Sequence, residues 1–138
     1  MPDAVRFLVT PSCESSVALA MQAVGRRYVE TFNRRHGCRG AVWRGGYQAT
    51  VIEPDRYFLL ASQVIDDAPM RNRLVAEPGH YRWSSYAHHI GLRVDSFIKD
   101  HPIYRALGNT PFERHQAYRD LGAQRLDERE VDKREVEW

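Results

Sequence analysis

Ser62-Gln63-Val64-Ile65-Asp66-Asp67-Ala68-Pro69-Met70-Arg71-Asn72-Arg73-Leu74-Val75 is the stretch on which the reading of this chain turns. Pro54 suits the first turn of a helix and Pro69 a place beyond its end, so the two bracket a helix carrying positions 64 and 68. Residues four apart stand on one helical face and can address one object together. Here that pair is Val64 and Ala68, whose side chains offer neither a nucleophilic nor a metal-ligating atom. Tyr57, seven residues before Val64, shares the face but lies about 10 Å away along the axis.

Working outward, Val5-Arg6-Phe7-Leu8-Val9 is short, apolar and ends at Thr10-Pro11, the pattern of a β-strand. Strand side chains alternate, which places Ala4, Arg6 and Leu8 on one face. A long amphipathic helix is expected next, capped by Ser12, with Val17, Met21, Val24, Tyr28 and Phe32 as its apolar stripe and Gly37 as its stop. Arg26, Arg27, Arg34 and Arg35 fall mostly off that stripe. Residues 41–52 read as two short strands around Gly45-Gly46. Beyond the central helix, His80-Tyr81-Arg82-Trp83-Ser84-Ser85-Tyr86 sets two aromatics beside two hydroxyls that suit a helix cap or a phosphate. Residues 100–108 predict a short helix with Pro102 inside its start and Gly108 past its end. Thr110-Pro111-Phe112-Glu113 is a capping box opening a helix through His115, Tyr118 and Leu121 to Gly122. From Arg125 on, alternating charge predicts a frayed helix or a disordered tail.

Three of these segments together resemble the REP-associated tyrosine transposases, a single-strand, HUH-class family of insertion-sequence type. The counterpart of residues 62–75 there reads roughly Cys-Arg-Tyr-Ile-Glu-Leu-Asn-Pro-Val-Arg-Ala-Gly-Leu-Val, matching Ile65, Pro69, Arg71, Leu74 and Val75. Residues 42–48 are similar to Leu-Trp-Glu-Gly-Arg-Phe-Lys in Trp43, Gly45 and the aromatic Tyr47, departing at Arg44 and Gly46. Residues 81–86 are similar to Tyr-Pro-Trp-Ser-Ser-Tyr. The resemblance extends to about Leu126.

The resemblance implies an α+β, ferredoxin-like HUH fold, incomplete at its N-terminus, with an added C-terminal helical region. Met1 matches an internal methionine of the family, so a preceding strand, helix and strand are expected to be missing. The domains expected are a partial transposase-like core at 1–90, a helical region at 91–123 and a charged tail at 124–138. In the family a tyrosine at the position of Val64 attacks DNA, while an asparagine at Ala68 and a histidine pair at Ala4 and Arg6 hold Mg or Mn. None of these four residues can do that chemistry, so a catalytically inactive relative without a cofactor is expected.

The net charge of +2 hides an asymmetry. Over residues 1–50 seven arginines face only Asp3, Glu14 and Glu30, whereas residues 121–138 are net acidic. A basic front half suits a phosphate-bearing partner, and the 18 arginines to 2 lysines suit bidentate phosphate contacts. Arg26, Arg27, Arg34, Arg35, Arg39, Arg44 and Tyr47 are therefore the candidate DNA contacts, the partner being single-stranded or hairpin DNA. An exposed strand edge at residues 5–9 would also invite homo-oligomerisation. Cys13 and Cys38 are expected to be free thiols. No apolar run reaches the roughly 20 residues that span a bilayer, so no membrane partner and a cytoplasmic location are expected. Two functions stay open: transposase-type DNA-hairpin recognition without catalysis, or a small interaction module with no nucleic-acid role.

Overall fold

The computed structural model describes residues 1–131, with side chains through Arg125. Five α-helices follow one another: α1 Ser16–His36, α2 Pro54–Arg71, α3 Tyr86–His89, α4 Pro102–Arg105 and α5 Pro111–Val131, with a 3₁₀ turn at Pro78–His80 between α2 and α3. Among the described residues there is no β-strand. The α+β, ferredoxin-like fold is thereby overturned: this is a helical protein.

The physical reason lies in pairing. A strand satisfies its backbone groups only against a neighbour, and residues 5–9 have no partner segment, so that stretch runs as irregular chain with Val5, Phe7 and Val9 exposed. Residues 41–52 do bend at 43–46, where Gly45 takes a φ of 71°. Their arms do not pair, as expected of a lone hairpin with no third strand or packed face to hold it.

The chain divides into two compact units, one formed by Leu8–Val51 and the other by Met1–Phe7 together with the chain from Ile52 onward. In the first, α1 begins later than expected. Ser12 does not cap it; instead Ser16 Oγ donates to the Cys13 carbonyl at 2.7 Å. It stops where expected, at Gly37 with φ 63°, whose N–H bonds the Asn33 carbonyl, the left-handed cap that glycine adopts at least cost. Trp43 returns onto Tyr28 with ring centroids 4.9 Å apart, and Asn33 Nδ2 donates to the Gly40 carbonyl at 2.9 Å. No residue of α1 is buried.

The second unit contains the core. Pro54 does sit in the first turn of α2, but Pro69 lies inside the last turn rather than beyond it. There it removes the bond that residue 69 would donate to the Ile65 carbonyl, two residues before α2 ends at Arg71. The α4 helix starts at Pro102 as expected, with His101 Nδ1 accepting from the Ile103 N–H at 3.2 Å. The capping box of α5 forms completely: Glu113 N–H reaches Thr110 Oγ1 at 3.2 Å, and Glu113 Oε2 accepts from Thr110 and Asn109. Those bonds hold the Glu113 carboxyl below its ordinary value. The α5 helix does not stop at Gly122; it runs on to Val131. The rest of the expected tail, residues 132–138, lies outside the described residues.

Gly108 lies past the end of α4, which closes at Arg105. A Cβ there would lie 2.4 Å from Glu113 Cβ and 2.9 Å from the Arg114 backbone nitrogen, so the glycine lets the loop press against the start of α5. Gly108→Ala is expected to destabilise the chain by about 1–3 kcal/mol, the usual cost of forcing extra volume into a packed site, as a lowered midpoint in urea unfolding followed by circular dichroism.

Candidate functional site

Two places are candidates: the interior face of α2, where the sequence puts the family's chemistry, and the arginine-rich surface of the first unit.

Alternating turns of α2 bury Ser62, Gln63, Asp66, Asp67, Ala68 and Pro69. The buried acid Asp66, 1% exposed, is the centre. Its Oδ1 accepts from Ser85 Oγ at 2.5 Å, and its Oδ2 accepts from His89 Nδ1 at 2.7 Å and from the Tyr118 hydroxyl at 2.8 Å. Because Tyr118 donates its proton there, it accepts from Ser62 Oγ at 3.0 Å. The rings of His89, Tyr104 and Tyr118 pack mutually at 4.9–5.7 Å, and the Tyr104 hydroxyl donates to the His89 carbonyl at 2.7 Å. From α5, Arg119 donates to the Ile90 carbonyl at 2.8 Å. Burial raises the phenol pKa of Tyr118 far above its ordinary value, helped by Asp66, and raises that of Tyr104 to about 12.

The neighbouring His88 turns elsewhere, its Nδ1 accepting from the Asp95 N–H and its Nε2 meeting Asp100 at 3.2 Å. Gly91, at φ 75°, lets His115 lie against the backbone, where a Cβ would come within 2.3 Å of its Nδ1. That burial lowers the His115 pKa. These histidines are thus engaged in packing and polar contacts with the protein itself.

Val64 is half-buried on α2 and Ala68 is buried; Ala4 is half-buried and Arg6 exposed in the N-terminal segment. That segment approaches the end of α2, where Asn72 Nδ2 contacts Met1 Sδ at 3.2 Å and donates to the Ala68 carbonyl at 2.7 Å. Of the four, none carries an atom that ligates Mg or Mn, so the residues present do not fit the family's metal. No group of three His, Cys, Asp or Glu suited to a metal occurs among the described residues.

Sequence reading missed the network around Asp66. The signal available was a pair of acids, Asp66-Asp67, inside an otherwise apolar stretch of helix, which demands buried partners.

In the first unit, Arg26, Arg27, Arg34, Arg35, Arg39, Arg44 and Tyr47 are all exposed, and all belong to the same compact unit. Arg27 and Arg34, seven apart, align along α1. Arg34, Arg35 and His36 occupy its last turn, where the helix dipole favours cations. The six arginines form no ion pair with the described residues, and the acids of Leu8–Val51 are Glu14 and Glu30 alone. Chemically this is a solvated cationic surface with an exposed phenol ring beside it, suited to phosphates and a base face. Cys13 and Cys38 are exposed free thiols.

No protein-family model, no curated protein and no solved structure matches the chain. No helix among the described residues is long and apolar enough to cross a membrane.

Two outcomes follow from the Asp66 network. Asp66→Ala strands three donors in the core and is expected to cost about 3–5 kcal/mol, whereas Tyr118→Phe removes one hydroxyl and costs about 1–3 kcal/mol; urea unfolding ranks the two. Second, phenols whose pKa is raised by folding stabilise the fold fully below the ordinary value of 10.0, and that contribution is lost as pH climbs towards about 12 for Tyr104. Absorbance at the tyrosinate band during alkaline titration should therefore show Tyr104 ionising late and Tyr118 only with unfolding.

Proposed function

We propose that this chain binds DNA, single-stranded or folded into a hairpin of the REP type, as a relative of the REP-associated transposases that does not carry out strand transfer. The observation that supports the reading best is the set of six exposed arginines without ion pairs among the described residues, with Tyr47, in the unit Leu8–Val51. Phosphate binding draws on many separate cations and survives piecemeal change, whereas phosphotyrosine chemistry needs a nucleophile and a metal in one place. With Val64, Ala68, Ala4 and Arg6 at the family's four positions, the reading includes no nicking and no Mg or Mn. The ferredoxin-like sheet of the family forms no part of it, and neither does oligomerisation through a strand edge, since residues 5–9 form no strand. A cytoplasmic location goes with this reading.

A second reading is favoured by one observation. No residue of α1 is buried, and Leu19, Val24 and Tyr28 stand exposed, which suits a small interaction or oligomerisation module with no nucleic-acid role.

Fluorescence anisotropy with a labelled single-stranded hairpin and a duplex of equal length, at low and moderate salt, separates the two. Tighter binding to the hairpin is expected, weakening with salt by a log–log slope of about −0.7 for each phosphate contact. Arg27→Ala with Arg34→Ala should flatten the slope by about 1.4 and leave the thermal midpoint unchanged. Folded protein that binds neither DNA, or both alike, overturns the proposal; self-association in sedimentation would then support the module.

A further inference from the structure

Trp83 is the most exposed tryptophan among the described residues, at 76%, although a side chain of this size is usually well covered. Of the two aromatics in this loop, Tyr86 packs against the Ile90, Tyr104 and Tyr118 core, while the indole is left exposed.

The backbone that carries the indole is nonetheless held on both sides. Arg93 donates from Nη1 to the Arg82 carbonyl at 3.0 Å and from Nη2 to the Ser84 carbonyl at 3.2 Å, and Asp95 lies 3.6 Å from Nη2. The Tyr86 N–H donates to Ser84 Oγ at 3.2 Å, and the next residue, Ser85, is tied to the buried Asp66. One guanidinium thus spans the residues on either side of Trp83, and the loop is anchored to the core one residue later. A backbone fixed this way leaves only the indole's own side-chain torsions to be ordered when something stacks on it.

Arg82 lies over the indole, its guanidinium carbon 4.9 Å from the ring centroid. It covers one face and leaves the other open, and it forms no ion pair with the described residues. Between Glu77 and Asp95 the chain carries Arg82, Arg93 and three histidines but no acidic residue. An exposed aromatic face on an anchored backbone, beside a cation with no ion-pair partner among the described residues, matches the two surfaces of a nucleotide, a π-face and a phosphate.

We infer that Arg82 and Trp83 form a stacking platform for one unpaired nucleobase, with Arg82 meeting the adjacent phosphate. This inference rests on the proposed DNA binding and adds a contact outside Leu8–Val51. It assigns the platform to an unpaired nucleotide flanking a hairpin stem, because a base inside the stem has both faces covered by its stacked neighbours.

The test uses the full chain and two labelled hairpins with the same stem, one blunt and one with a short unpaired extension. Trp83→Ala is expected to weaken binding to the extended hairpin by about tenfold, the order of one lost base–aromatic stack, and to leave the blunt hairpin unaffected. Trp83→Phe should retain most of the affinity, and the salt slope should stay unchanged in both variants because no phosphate contact is removed. Arg82→Ala should flatten that slope on the extended hairpin only. Far-ultraviolet circular dichroism and the thermal midpoint should match wild type, given the exposure of the indole. Wild type that binds the hairpins while Trp83→Ala has no effect, or weakens both equally, overturns the platform alone. Wild type that binds neither overturns the platform together with the DNA-binding reading.

Discussion

The second unit depends on a buried carboxyl group. Asp66 brings a group that water would solvate strongly into a site 1% exposed, and an acid buried without partners would cost several kcal/mol, of the order of about 3–5. The cost is offset because three donors converge on it from separate parts of the chain: Ser85 before α3, His89 within α3 and Tyr118 in α5. Each hydrogen bond is directional, so satisfying all three at once restricts how α2, α3 and α5 can lie against one another. Among the described residues the buried hydrophobic side chains of the core are Ala68, Ile90, Tyr104 and Tyr118, two of them phenols with hydroxyls in polar contacts. Specificity in this core comes from complete polar pairing as much as from apolar contact.

That arrangement explains how two separated sequence segments belong together. Residues 62–75 and residues 80–86 meet directly through Asp66 and Ser85. Their joint presence has a structural basis that requires no catalysis. Val64, Ala4 and Arg6 take no part in this hydrogen-bond network; a side chain there can lack catalytic atoms without stranding any of its donors. The two serines of that loop have separate duties, since Ser84 Oγ accepts from the Tyr86 backbone while Ser85 turns inward. Trp83, between these inward anchors and Arg82, is left to solvent.

The Leu8–Val51 unit follows a different physical logic. Its one helix buries nothing, its loop is fastened by Asn33 and by the Trp43–Tyr28 ring contact, and its charge is concentrated in arginine. Such a surface gains from a phosphate partner through long-range attraction and displaced counterions rather than through a shaped pocket.

Local rules were legible in the residues themselves. The Thr110–Glu113 capping box, the left-handed stop at Gly37 and Pro54 and Pro102 in first turns all follow from interactions within a few residues, and so does the exposure of arginines lying mostly off an apolar stripe. The strands at residues 5–9 and 41–52 were misread because strand propensity says nothing about whether a partner exists to complete the ladder. Gly122 reads as a helix stop by composition, yet it sits inside a continuous helix, while Gly108, past the end of α4, is also required by a close approach of α5. By itself the sequence determined where α2, α4 and α5 start and that the arginines of α1 face water. Only the tertiary structure decided which acid becomes the buried centre, because Asp66 and Asp67 are alike in sequence and differ in the donors that residues 19 to 52 positions away bring to them.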